Sequence, residues 1–256
     1  HHHQSVARTW RSGRVFLAGD AAHLFAPTGG VGMNTGIGDA VDLGWKLDAV
    51  LRGWGGQALL DSYEIERKPI AIRNSLISAT NSDKIDMVMD ETPANITEPG
   101  LEGEAARALL ARKIKWLARQ FNSAGTHLGY RYVDSTVIVG DGTQEPPDDP
   151  LQVVPSTWPG SRAPHAWMAD GRSTLDLLAR DAVLLRFGEP QPGDARILDA
   201  AAAVQMPLQL RELRDPAIAR LYETRLVLVR PDGHVAWRGE TAPEDAAALI
   251  DRVRGR

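Results

Sequence analysis

The run from Arg14 to Leu51 constrains the fold more than any other part of the chain. It opens on Arg14-Val15-Phe16-Leu17-Ala18, a β-prone run that Gly19-Asp20 ends, and this predicts a strand with Asp20 at its C-terminal edge. Ala26-Pro27-Thr28-Gly29-Gly30-Val31-Gly32 follows, and three glycines with a proline in seven residues predict irregular backbone. Ile37, Ala40, Val41, Gly44, Leu47 and Leu51 then recur at helical spacing, with Asn34 or Thr35 as the N-cap and Gly53 as the stop. Strand, glycine bend and helix together bring a carboxylate, unshielded backbone N–H groups and a positive helix end to one place. Such a place suits a polyol and an electron-rich carbonyl on a heterocycle. Spacing alone leaves two readings open, a cofactor or anion cradle and an ordinary glycine-rich turn before a helix.

Downstream, residues 57 to 125 read as helical. Periodicity runs from Leu59 to Met89 with Pro69 as an interruption, Pro93 to Gly103 reads as a loop, and Glu104 to Phe121 as an amphipathic helix. Six prolines between Pro146 and Pro164 predict an extended connector laid over the surface. After it, strands are predicted at Val183–Phe187, Leu208–Leu213, Leu226–Arg230 and His234–Trp237, with helices at Ala195–Val204, Pro216–Tyr222 and Pro243–Val253. Pro231-Asp232-Gly233 is a hairpin turn signal. This β-α-β, hairpin, α order is that of a thioredoxin-like unit. The 256-residue chain has no cysteine, so that unit has no disulfide chemistry, and zinc thiolate and iron–sulfur sites are excluded too. Its plain role is structural or docking. The fold class expected is α/β, divided at 1–125, a connector at 126–165, and a thioredoxin-like domain at 166–256. A formal charge of −4 argues against a nucleic-acid surface, and no apolar run is long enough to span a bilayer, so a cytoplasmic location is the default. His1 to His3 have two open origins, a tag remnant or native residues, and no metal site is expected anywhere.

The run from Gly13 through Asp20, His23 and Pro27 to Asp39-Ala40 resembles the second FAD-binding motif of the class A flavin-dependent aromatic hydroxylases, of the p-hydroxybenzoate hydroxylase fold. Similarity continues through Trp45-Lys46-Leu47 and Leu59-Leu60-Asp61-Ser62-Tyr63-Glu64-Ile65-Glu66-Arg67-Lys68-Pro69. Leu128-Gly129-Tyr130-Arg131-Tyr132 and Pro159 to Trp167 are similar to members of the phenol and polyketide hydroxylase type that add a thioredoxin-like domain. The resemblance implies FAD as cofactor and NAD(P)H as reductant, with an aromatic, phenol-like substrate hydroxylated from O2 through a flavin C4a-hydroperoxide. It implies that Asp20 binds the ribityl chain and that Pro27 lies beside substrate and flavin edge. Gly30 belongs to the same cradle, and Gly32, Met33 and Asn34 offer backbone contacts to the pyrimidine side of the ring. No catalytic acid or base is named. His23 reads as packing or support, Trp45 and Tyr63 as core, and Arg67 as an ion pair with Glu64 or a carbonyl ligand.

One departure qualifies the resemblance. Complete members open with Gly-x-Gly-x-x-Gly, but Gly30-x-Gly32 meets Thr35 at the third position, Gly36-x-Gly38 meets Val41, and Gly140-x-Gly142 meets Glu145. The expectation is therefore the C-terminal part of such an enzyme, inactive when isolated. The alternatives are a non-catalytic fragment or dimerisation module, with a homodimer among the candidate partners, and a related flavin oxidation such as Baeyer–Villiger or epoxidation.

Overall fold

A strand extends only as far as it has a neighbour to bond, and the first thirty residues show it. The computed structural model describes residues 4–178 and 180–256, so the reading of His1 to His3 lies outside the described residues. β1 (Ser5–Val6) pairs antiparallel with β4 (His23–Leu24), and β2 (Arg11–Ser12) pairs with β3 (Val15–Phe16). Only Arg11 and Ser12 lie across from the predicted strand, which therefore shrinks to Val15–Phe16. Asp20 is consequently not at a strand end. It sits in one 3₁₀ turn, Gly19–Ala21, just beyond the extended Leu17-Ala18.

The helix after the bend also differs from expectation. α1 spans Val31–Leu51, so Val31 and Gly32 are helical, and Gly30 is the N-cap rather than Asn34 or Thr35. Gly30 has φ 64°, a left-handed conformation that lets the chain turn into the helix without a Cβ penalty. Asn34 and Thr35 bond backwards instead, Nδ2 to the Gly30 carbonyl at 2.7 Å and Oγ1 to the Val31 carbonyl at 2.7 Å. Gly53, at φ 85°, ends the helix as predicted.

α2 (Gln57–Asp90) runs unbroken for 34 residues with Pro69 inside it. Proline removes one ladder bond there, yet the helix is held on both sides of that point, at Glu66 and Arg67 by Lys46 and Asp39 and at Asn74 and Ser78 by Thr35 and the Ala26 carbonyl. α3 (Leu101–Leu117) starts three residues earlier than predicted, and α4 (Ala124–Leu128) crosses the expected boundary at 125. From 129 to 173 the backbone forms no helix and only isolated bridges, as the prolines require.

β5 (Ala182–Phe187), α5 (Ala195–Ala203), β6 (Leu208–Leu213), α6 (Pro216–Tyr222), β7 (Leu226–Val229), β8 (Val235–Gly239) and α7 (Ala246–Val253) complete the chain. Sheet order is β6-β5-β7-β8, with β5 parallel to β6 and the other neighbours antiparallel, as the thioredoxin-like reading requires. Alternate residues face opposite layers. Leu184 and Leu228 meet Ile197 and Ile250, whereas Leu185 and Val227 meet Ile218 and Tyr222. Ala49, Trp54 and Leu59 join the first of these cores, so the α1–α2 corner is packed into the C-terminal unit. Among the described residues, no helix is long and apolar enough to cross a membrane.

Candidate functional site

Asp20, Pro27, Gly30, Gly32 and Met33 line one open recess of about 330 Å³, with Phe25 and Val31 in its walls. Asn34 is set apart, on a neighbouring hollow one helical step away. The bend itself is tied down from α2. Thr28 Oγ1 donates to the Ser78 carbonyl at 2.7 Å, and Ser78 Oγ donates to the Ala26 carbonyl at 2.6 Å. Because α1 begins at Val31, the N–H groups without an intrahelical partner are those of Gly30 to Met33. Asn34 N–H falls within the helical ladder. Gly30 has nothing within 4 Å of where a Cβ would stand, and Met33 is 75% exposed, so the recess is not sealed by the chain's own side chains.

A buried carboxylate fixes the turn that carries Asp20. Asp39 accepts from Gly19 N–H at 3.1 Å, from His23 Nε2 at 2.7 Å and from Arg67 Nε at 2.9 Å, and its side chain is fully buried. Arg67 also donates to the Thr35 carbonyl at 3.1 Å and to Tyr132 Oη at 3.3 Å. Gly38 is what admits it: a Cβ there would stand 2.6 Å from Arg67 Nη2. His23 thus supports the site, as expected, and stacks on Phe25 at 4.7 Å. Of the two partners expected for Arg67, the backbone carbonyl is found, at Thr35, while the ion pair is with Asp39 and not with Glu64. Glu64 instead accepts from Lys68 Nζ at 2.8 Å and Trp10 N–H at 2.9 Å. Tyr63 fills core, as read, and donates to the Leu17 carbonyl at 2.7 Å.

A second buried cluster went unread in the sequence. Arg230, at the end of β7, reaches Glu66 of α2 at 2.6 Å and Asp42 of α1 at 3.1 Å, and also pairs with Asp232. Its guanidinium lies over Trp45 at 5.0 Å and Tyr132 at 5.3 Å. Lys46 binds Asp42 at 2.8 Å and Glu66 at 2.6 Å, and Ser135 Oγ donates to Glu66. Burial lifts the Asp42 carboxyl well above the usual range despite Lys46. Burial is the largest influence on Glu66 and Asp232 too, but Arg230 together with Lys46 at Glu66 and with His234 at Asp232 outweighs it and holds both below that range. Asp42, Glu66 and Asp232 lie within 4.8 Å of one another, the spacing of a metal site, but Lys46 and Arg230 already answer their charge. No local signal announces this cluster, because charged residues in helices and hairpin turns ordinarily face water.

Comparison with known proteins places this geometry. Residues 1–75 match the FAD binding domain profile, and residues 156–256 match the profile described as aromatic-ring hydroxylase, C-terminal. The FAD-dependent monooxygenase apdD of Emericella nidulans is 36% identical over 94% of this chain and 41% of its own length. The 2,4-dichlorophenol 6-monooxygenase of Cupriavidus pinatubonensis is 35% identical over 96% of this chain and 47% of its own. A solved structure, the rebeccamycin biosynthetic enzyme RebC with reduced flavin, is 44% identical with a TM-score of 0.88, covering 98% of this chain and 46% of that one. The chain therefore spans less than half the length of these relatives. On sequence and fold together, it is similar to FAD-dependent aromatic hydroxylases, matching an FAD binding domain profile at one end and their C-terminal profile at the other.

Proposed function

We propose that the protein carrying this chain is a flavin-dependent monooxygenase that hydroxylates an aromatic, phenol-like small molecule, with O2 as co-substrate and NAD(P)H as reductant. The observation that carries the reading is the open recess beneath the glycine bend, which sets the Asp20 carboxylate beside the free N–H groups of Gly30 to Met33. FAD fits that donor set. Asp20 would accept hydrogen bonds from the ribityl hydroxyls, the amides of Gly32 and Met33 would donate to the pyrimidine side of the ring, and Gly30 leaves room for it. Pro27 would stand at the ring edge where substrate approaches, and Asn34 would act only indirectly, by tying the Gly30 carbonyl at the start of the helix. When bound, FAD supplies hydride acceptance and O2 activation. The chain's own residues orient and support: Asp39 holds the turn before Asp20, and Ser78 holds the bend. In this proposal residues 1–125 form the flavin part, 126–165 the connector and 166–256 a cysteine-free supporting domain. The protein works in the cytoplasm, and a second copy of the chain is its candidate macromolecular partner.

The test is FAD reconstitution of the natural polypeptide that contains this chain. It is expected to turn yellow and to take up O2 with NAD(P)H when a phenol is added. Asp20→Ala is expected to weaken FAD binding by about tenfold or more, roughly 1.4 kcal/mol. A protein that stays colourless with excess FAD overturns the proposal.

A further inference from the structure

The largest hollow near α1 is not the recess under the bend. It measures about 700 Å³ and shares no lining residue with that recess. Ile37 and Val41 of α1 form one wall, Tyr130 and Tyr132 another, and His234 and Arg162 the polar end. The volume falls within the range of small-molecule pockets, about 300–1,000 Å³, and mixed aromatic and polar walls are what such pockets share.

Two features of the polar end point to a ligand. His234 is 2% exposed; its Nδ1 lies 3.5 Å from Asp232 Oδ2, while its Nε2 has no hydrogen-bond partner among the described residues. A buried ring N–H without a partner is costly unless something else meets it. Arg162 is exposed and makes no ion pair among the described residues. The two are opposite one another in an antiparallel bridge, which puts their side chains on the same face. The Tyr132 ring lies 4.2 Å from that of His234 and the Tyr130 ring 5.5 Å, so a flat surface adjoins the two nitrogen donors. The acidic groups at this end are already answered: Asp232 pairs with Arg230, and Asp42 with Lys46 and Arg230. A guanidinium fork and an imidazole beside aromatic walls select a planar ring bearing a carboxylate.

We infer that this hollow, between α1, Tyr130–Tyr132 and the Arg162–His234 pair, is a binding site for an aromatic carboxylate. Arg162 meets the carboxylate oxygens, His234 hydrogen-bonds to one of them, and the ring lies along Tyr130, Tyr132 and Ile37. The inference does not rest on the flavin reading, and its test separates the two.

Isothermal titration of the 256-residue chain with 2-naphthoate, against the neutral 2-naphthamide, is the experiment. Saturable naphthoate binding is expected, with the amide about tenfold weaker or more, the loss of one charge-assisted contact. Arg162→Gln, at an exposed position, is expected to lower naphthoate affinity by a similar factor with the far-ultraviolet dichroism unchanged. His234→Phe keeps the ring and is expected to weaken the carboxylate more than the amide. Asp20→Ala, in the other recess, is expected to leave naphthoate affinity unchanged. Equal binding of acid and amide, or an undiminished affinity in Arg162→Gln, overturns the site. So does absence of saturation up to about 5 mM, the level of a weak fragment. Loss of naphthoate binding in Asp20→Ala also overturns it, by placing the probe under the glycine bend.

Discussion

Asp39 shows how much one residue decides here. Its two oxygens serve a backbone amide, an imidazole and a guanidinium, all away from water. A buried cation that loses its counter-charge is left uncompensated, and breaking such a pair costs about 3–5 kcal/mol. Asp39→Asn is therefore expected to lower the unfolding free energy by roughly that amount in urea denaturation. A change under about 1 kcal/mol would mean that Tyr132 and Thr35 suffice to hold Arg67. Part of this site was legible in the sequence. Asp20, Pro27 and the glycines announce a bend beside a carboxylate, because proline and glycine impose their geometry locally. Asp39 and Ser78 were not legible, because a polar residue on a helix looks the same whether it faces water or a buried partner.

At the level of elements, α1 and α2 carry the site between them. The first turn of α1 presents the free amides, and α2 supplies Ser78 to the bend and Arg67 to Asp39. Pro69 in α2 leaves one carbonyl of the preceding turn without its ladder bond. Pro69→Ala is expected to stabilise the protein by about 1–3 kcal/mol, read as a higher thermal midpoint, because alanine restores both the bond and the helix propensity. A lower midpoint would show that the ring itself packs against something the helix needs. Proline read from sequence predicts a break, since local preference is all a sequence window contains. The break does not happen because Glu66 and Arg67 before it are gripped from α1 and from the C-terminal unit, and Asn74 and Ser78 after it from α1 and the glycine bend.

Across the whole molecule, the thioredoxin-like unit has no thiols to use, and its hairpin serves instead to reach into the helical unit. Arg230 crosses from β7 to Glu66 and Asp42, and the apolar core runs on through Ala49, Trp54 and Leu59. Both units should therefore unfold together, with helix dichroism and tryptophan fluorescence tracing one transition. Arg230→Met leaves Glu66 and Asp232 buried without their main counter-charge and is expected to cost about 3–5 kcal/mol and to separate the two traces. Coincident traces with a loss below about 1 kcal/mol would show that Lys46 and Ser135 hold the cluster without it.

The sequence by itself determined the element order, the bend and the thioredoxin-like topology, because hydrophobic period, glycine, proline and turn chemistry act over a few residues. Only the tertiary structure decided that Asp20 sits in a turn rather than at a strand end, that α1 starts at Val31, and that α2 runs through its proline. It alone brought Asp42, Glu66 and Arg230 together across as many as 188 positions. Strand length, helix continuity and the burial of charge depend on partners distant in the chain, and no local pattern encodes which partners those are.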